Sequence, residues 1–272
     1  MDRNEDIGDA MARLTEQDIA LYAEQGWIVP DYRVPVDLLA EARARLKAMM
    51  AARPDYQDLY PDLLGADIRF IEMAREPGLL EILEQLIGPD IALWTGAVFG
   101  KPAGNGKATP WHQDGEYWPI RPLETTTVWV ALDESTPANG CLRVISGSHK
   151  ARRLLPHRER SGELTLFQEV DADAYDNSRA ADIVLQPGQV SIHDVYLIHG
   201  SEPNRSDQRR AGVTYRYMPA RCHFDRDLAA RQAAAQTIPD ISRRPVYLLR
   251  GSAADSATDF DPIPQPAGES TA

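Results

Sequence analysis

The run Trp111-His112-Gln113-Asp114-Gly115-Glu116-Tyr117-Trp118 contains a His-x-Asp triplet, and one histidine far downstream, His199, is available as a third ligand. On an extended segment, side chains two positions apart leave on the same side. His112 and Asp114 can therefore share one point in space, and a second imidazole returning on a distant strand closes one face of an octahedron. That is the 2-His-1-carboxylate arrangement of non-haem iron(II) sites, which keeps three coordination positions open for cosubstrate and O2. His193 is the rival for the third position, and as the end of an apolar strand it also fits a buried, hydrogen-bonded histidine. His149, His157 and His223 lie in turn or charged segments and read as surface or turn residues.

An iron that reduces O2 needs an electron donor, and a dicarboxylic 2-oxo acid can chelate it while its far carboxylate seeks a buried cation. A planar guanidinium grips a carboxylate with two parallel hydrogen bonds. Eleven residues after His199 stands Arg210, beside Arg209. Adjacent residues on a strand leave on opposite faces, so only one can point inward. Spacing selects Arg210, with Arg209 facing solvent. Lys101, ahead of a glycine-rich turn, is a further candidate anion-binding residue. Tyr117 and Trp118 follow the triplet directly, where a chain leaving the metal lines a substrate mouth, although each also fits an ordinary core aromatic.

The fold expected is mainly β with flanking α-helices. Thr15 with Asp18 and then Gly26 bracket a first helix. Asp37 to Ala52 carries apolar residues at helical spacing, and Pro77 to Ile87 before Gly88 forms a well-punctuated third helix. From Ile91 the character changes. Ile91 to Gly100, Thr125 to Leu132, Val184 to His193 and Gly212 to Met218 are rich in β-branched and aromatic residues and bounded by turn formers. Many short strands with irregular links fit a double-stranded β-helix, the cupin-like jelly roll. One domain over 1–251 is expected, helical to about 90 and jelly roll over about 91–220. The tail 252–272, without periodicity, is expected to be disordered. The polar stretch Arg152 to Ala181 is too long for a turn and reads as a lid over the metal or as a surface excursion.

The hydrophobic fraction of 43% supports a substantial core. A net charge of -12 argues against nucleic acid or an anionic membrane as a partner, because both need a positive field. No apolar run approaches a membrane span and the charged start is not a signal peptide, so a cytoplasmic protein, monomer or homodimer, is expected. Two cysteines, Cys141 and Cys222, are too few for a disulfide framework.

Beyond the triplet, Asn139-Gly140-Cys141 through Ser148-His149, Pro187-Gly188-Gln189, His199-Gly200-Ser201, Asn204 and Arg210 arrive in an order that resembles the phytanoyl-CoA dioxygenase family of Fe(II)/2-oxoglutarate oxygenases. The resemblance covers roughly residues 90 to 220. It implies Fe(II), 2-oxoglutarate and O2, a metal site at His112, Asp114 and His199, and a cosubstrate pocket with Arg210, Ser201 and Trp129. Related iron halogenases carry a small residue in place of the carboxylate. Asp114 therefore favours hydroxylation of a small polar metabolite or natural-product intermediate, with desaturation or cyclisation by the same oxidant as the alternative. A cupin-like binding protein without turnover is the reading from another class.

Overall fold

The computed structural model describes residues 13–235 and 238–265; the ends of the chain, including 266–272 of the expected tail, lie outside the described residues. Two antiparallel sheets face one another. The larger runs, in order, Trp27–Ile28, Val190–Asp194, Thr126–Ala131, Arg210–Pro219, Ile91–Lys101 and Tyr247–Arg250, and Leu59–Tyr60 also pairs with Ile91–Lys101. The smaller runs Ala180–Ile183, Leu142–Ile145, His199–Ser201 and Thr109–His112. This is the jelly roll. No described helix is long and apolar enough to cross a membrane.

Alternation along the Arg210–Pro219 strand explains how the layers divide. Val213, Tyr215 and Tyr217 face the helical layer, in one core cluster with Leu79, Leu83 and Phe70. Their neighbours Arg210, Thr214 and Arg216 line a cleft between the sheets, as a period of two requires. The tyrosines bury their rings and still satisfy their hydroxyls: Tyr215 donates to the Phe70 carbonyl and Tyr217 to that of Ala74, each at 2.8 Å. Burial without those acceptors would cost about 1–3 kcal/mol apiece. The helices thus hold the outer face of the sheet while its inner face carries chemistry.

The helices form where the caps place them. Glu16–Gln25 begins at a capping box between Thr15 and Asp18 and stops at Gly26, whose φ of 82° suits glycine. Val36–Ala52 and Pro77–Ile87 follow the apolar periodicity.

Two differences from the sequence reading have physical causes. Of the expected strand Val184 to His193 only the part from Val190 is strand, in the larger sheet: 184–189 is the connection from Ala180–Ile183 of the smaller sheet, and the turn around Gly188 (φ 85°) redirects the chain there. The stretch Arg152 to Ala181 is no plain loop: His157–Glu159 pairs with Gln168–Val170, and Ala180–Ile183 joins the smaller sheet. Beyond 220, within the expected domain, come the helix Arg226–Ala235 and the strand Tyr247–Arg250, which pairs with Ile91–Lys101. Residues 252–265 touch the rest of the chain at single points. Buried Thr258 accepts from the Phe224 amide at 2.8 Å and donates to the Cys222 carbonyl at 2.9 Å, and Ile263 packs on the main core. A few single anchors suffice there, and composition does not reveal them.

Gly212 leaves room for the Trp129 ring: a Cβ at that position would lie 2.0 Å from Trp129 Cζ2. Both neighbours are locked in a sheet, so Gly212→Ala is expected to cost about 1–3 kcal/mol by overpacking, read as a lower melting temperature and a changed tryptophan fluorescence.

Candidate metal centre and cosubstrate cleft

The smaller sheet brings the two distant histidines together through its register. His199 is paired directly with His112 across antiparallel strands, and their rings lie 4.2 Å apart. Opposed residues in such a ladder carry their side chains on one face. Asp114 comes from the turn just beyond the Thr109–His112 strand, not from a continuous extended segment. One ligand atom each from His112, Asp114 and His199 fits within 4.8 Å of the others, and all three residues are buried.

Local hydrogen bonds set the state of each group. His112 Nδ1 faces the Pro110 carbonyl at 2.8 Å and His199 Nδ1 that of Leu197 at 2.9 Å. Each ring thus donates through Nδ1 and leaves the Nε2 lone pair free, the outer-shell arrangement of metal-binding histidines. Burial lowers the pKa of both imidazoles, and for His199 the neighbouring His112 and His193 push it further, well below the usual value. Burial alone would raise the Asp114 pKa, but Arg216 and the surrounding imidazoles outweigh it and hold the carboxyl well below its ordinary range. Two neutral imidazoles and one carboxylate are the deprotonated ligands that a cation requires. Thr127 Oγ1 donates to Asp114 Oδ2 at 2.9 Å and fixes the carboxylate. Thr127 escaped the sequence reading, although it lies two residues before Trp129 on the same inward face.

His193 is also here. Its Nε2 is 3.7 Å from Asp114 Oδ2, its ring is 4.7 Å from that of His199, and neither nitrogen has a hydrogen-bond partner among the described residues. It borders the cleft beside the three-residue cluster without belonging to it.

Arg210 lines the same cleft together with Trp129 and Ser201. It is buried, donates to the Gly140 carbonyl at 2.6 and 3.1 Å and to that of Phe99 at 3.3 Å, and lies 5.2 Å from the Trp129 ring centroid. No carboxylate among the described residues pairs with it. Burial lowers its pKa to about 10, the mark of a cation short of counter-charge. Arg209 points out instead, held by Asp133 at 2.8 and 3.1 Å. Lys101, expected as an anion ligand, does not line the cleft. It is the cross-strand partner of Arg210, and like charges so placed repel. Its stem packs beside Gly106 and Gly140 and its Nζ donates to the Lys107 carbonyl. Burial, then Arg210, lowers its pKa to about 7.

His112 and Asp114 also border a second, wider cavity of about 290 Å³. Tyr117 and Trp118 line it, as do Leu166 and Phe167 of the segment read as a lid. Gln113, the middle residue of the triplet, ties that segment down. Its Oε1 accepts from the Leu155 amide at 2.7 Å, and its Nε2 donates to the Arg153 and Tyr196 carbonyls at 3.2 and 2.7 Å. His157, read as a surface residue, is buried instead: its Nε2 accepts from the Gln113 amide at 3.1 Å, and its Nδ1 lies 3.2 Å from Glu116 Oε2. Trp94 was hidden by a bulge. The register between Arg210–Pro219 and Ile91–Lys101 slips between Arg216 and Tyr217, so Trp94 and Thr95 break the alternation and both reach this cavity.

The chain matches the phytanoyl-CoA dioxygenase (PhyH) family over residues 10–212. A probable phytanoyl-CoA dioxygenase of Caenorhabditis elegans is 33% identical over 166 residues, which are 57% of this chain and 50% of that protein. The chain spans about half the length of the curated relatives it matches. Among solved structures, the apo form of ThoJ, a non-haem monooxygenase, superposes with a TM-score of 0.69 at 26% identity, over 90% of this chain and 88% of that one. The epimerase SnoN, in complex with Fe3+, alpha ketoglutarate and nogalamycin RO, gives a TM-score of 0.62 at 21% identity over 77% of this chain and 85% of its own, a likeness of fold. With most of its length matched, the chain belongs to the phytanoyl-CoA dioxygenase family.

Proposed function

We propose that the protein is an iron(II)- and 2-oxoglutarate-dependent dioxygenase that hydroxylates a small metabolite or natural-product intermediate. One observation carries the reading: two neutral imidazoles, an ionised carboxylate and an unneutralised buried arginine converge on a single cleft. A set of two nitrogens and one oxygen suits non-haem iron, and the lone pairs at His112 and His199 Nε2 fit that ion. Iron with 2-oxoglutarate supplies the O2 activation and C–H oxidation that side chains cannot perform.

The chain's own part is positioning. His112, Asp114 and His199 hold the metal by one face, with Thr127 fixing the carboxylate. Arg210 takes the distal carboxylate of 2-oxoglutarate, beside Ser201, while Trp129 shields that charge pair from water and strengthens it. The aromatic walls of the wider cavity keep the reacting C–H bond in a water-poor space, and Gln113 joins that space to the covering segment. A zinc hydrolase on the same barrel would leave the buried charge of Arg210 without a purpose.

His112→Ala, Asp114→Ala and His199→Ala are each expected to abolish succinate release and reduce bound iron, whereas His193→Ala retains iron. Full iron loading and turnover in His199→Ala would overturn the ligand assignment. Arg210→Ala is expected to weaken 2-oxoglutarate binding by the ~2–5 kcal/mol typical of breaking a buried charge pair, with iron retained; isothermal titration reads it. A collapse in Arg209→Ala with Arg210→Ala unaffected would contradict the choice of arginine. Trp118→Ala is expected to impair substrate oxidation more than uncoupled 2-oxoglutarate decarboxylation, and equal loss of both would mark Trp118 as purely structural.

A further inference from the structure

The wider cavity carries two arginines: Arg216, whose charge helps keep Asp114 ionised, and Arg244, for which the proposed chemistry has no use. Arg216 stands on the inner face of the Arg210–Pro219 strand, and its guanidinium stacks 5.1 Å from the Trp118 ring centroid. Its Nη1 reaches Thr214 Oγ1 at 3.3 Å, its Nη2 is 3.8 Å from Asp114 Oδ1, and its Nε, though buried, has no partner. At 3.8 Å the contact with Asp114 is too long for a hydrogen bond, and Thr127 already fixes that carboxylate at shorter range. Arg244 arrives from the opposite side. Its Nη1 donates to Thr95 Oγ1 at 2.8 Å, and Thr95 is the cross-strand partner of Arg216, so one hydroxyl brings the two guanidinium groups to the same part of the wall.

Counter-charge is short there. No carboxylate among the described residues lies within 4.0 Å of Arg244, and the other acid on the wall, Glu116, faces His157. Burial lowers the Arg244 pKa, with Asp62 opposing and Arg216 adding to the fall. Two cations beside one another in a chain of net charge -12 are not explained by overall electrostatics. Much of the rest of the wall is apolar: Trp94 meets Trp118 edge-on at 4.8 Å, and Phe99, Phe167 and Ile241 also line it. A planar fork beside aromatic surface recognises a compact anion attached to a hydrocarbon or aromatic body.

We propose that the substrate is an amphipathic carboxylate whose anionic end is held by Arg216 and Arg244 and whose apolar body lies against Trp94 and Trp118. This rests on the reading of the cavity as the place where the oxidised molecule binds. A volume of about 290 Å³ is at the small end of small-molecule pockets, which run from roughly 300 to 1,000 Å³. The occupant is a molecule of that class, not one that carries a large polyanionic carrier into the cavity.

The test is a binding titration with 4-phenylbutyrate and decanoate, each against its primary amide, read by the fluorescence of the cavity tryptophans. It is run anaerobically on the protein as purified and on the protein with iron(II) and saturating 2-oxoglutarate, which keeps the acids away from Arg210. Each acid is expected to bind at least roughly tenfold more tightly than its amide, the discrimination of a charge-assisted pair. Arg244→Gln, which touches no metal ligand, is expected to bring acid and amide to near equality, and Arg244→Lys to restore part of the preference. Equal binding of acid and amide by the wild type, a preference unchanged in Arg244→Gln, or no binding of either acid overturns the proposal. Failure of the oxygenase reading looks different. An arginine-dependent preference for acids, with no succinate formed, would leave the anion site standing and remove the chemistry, whereas succinate formation without the preference would do the reverse.

Discussion

The direct pairing of His199 with His112 in the smaller sheet is the constraint on which the site depends. Register in an antiparallel pair is all or nothing, because a slip of one residue turns every side chain to the other face. A slip in the His199–Ser201 strand would take the second imidazole out of the cleft and leave the His-x-Asp pair with nothing opposite. The flanking contacts hold that register: Gly200 pairs with Arg143 in the neighbouring strand, and a Cβ at Gly200 would come within 3.0–3.3 Å of Thr109 and Trp111, tighter than an ordinary contact. The helical layer holds the other sheet just as firmly through the Tyr215 and Tyr217 hydroxyls.

Electrostatics divides the interior into three zones. Around Asp114 the carboxylate faces the Arg216 guanidinium at 3.8 Å. Around Arg210 no carboxylate among the described residues answers the charge, and the shortage is met only by two backbone carbonyls and the face of Trp129. A buried guanidinium without an anionic partner is costly, and that cost marks a position kept for a ligand. The third zone is the pair Arg216 and Arg244, less deeply buried and open to the wider cavity. Arg210 lines the cleft and Arg244 the wider cavity, with Arg216 on the wall of both.

Much of this was legible in the chain. The helices at Glu16–Gln25, Val36–Ala52 and Pro77–Ile87 announced themselves by capping residues and apolar spacing. The His-x-Asp triplet, His199 and Arg210 stood out because buried charge is rare and their spacing is informative. Other features depended on tertiary contacts. The two-residue alternation along Ile91–Lys101 is interrupted at Trp94 by a bulge that no local pattern records. His157 looked like a surface residue among charges, but Gln113 draws it under the cavity wall. Arg244 lies far along the chain, beyond the stretch that resembles the family, and its side chain is placed by the Thr95 hydroxyl. Lys101, picked out because it precedes a glycine-rich turn, has Arg210 as its like-charged neighbour across the sheet, which only the strand register reveals.

The central claim is that one cleft holds a metal by His112, Asp114 and His199 and a dicarboxylate by Arg210. Anomalous diffraction at the iron edge, from crystals grown anaerobically with iron(II) and 2-oxoglutarate, tests both halves at once. The expected map has a single iron peak at bonding distance from Nε2 of His112, Nε2 of His199 and the Asp114 carboxylate, with the far carboxylate of 2-oxoglutarate on the Arg210 guanidinium. Iron bound through His193 in place of His199, or 2-oxoglutarate lying away from Arg210, would contradict it.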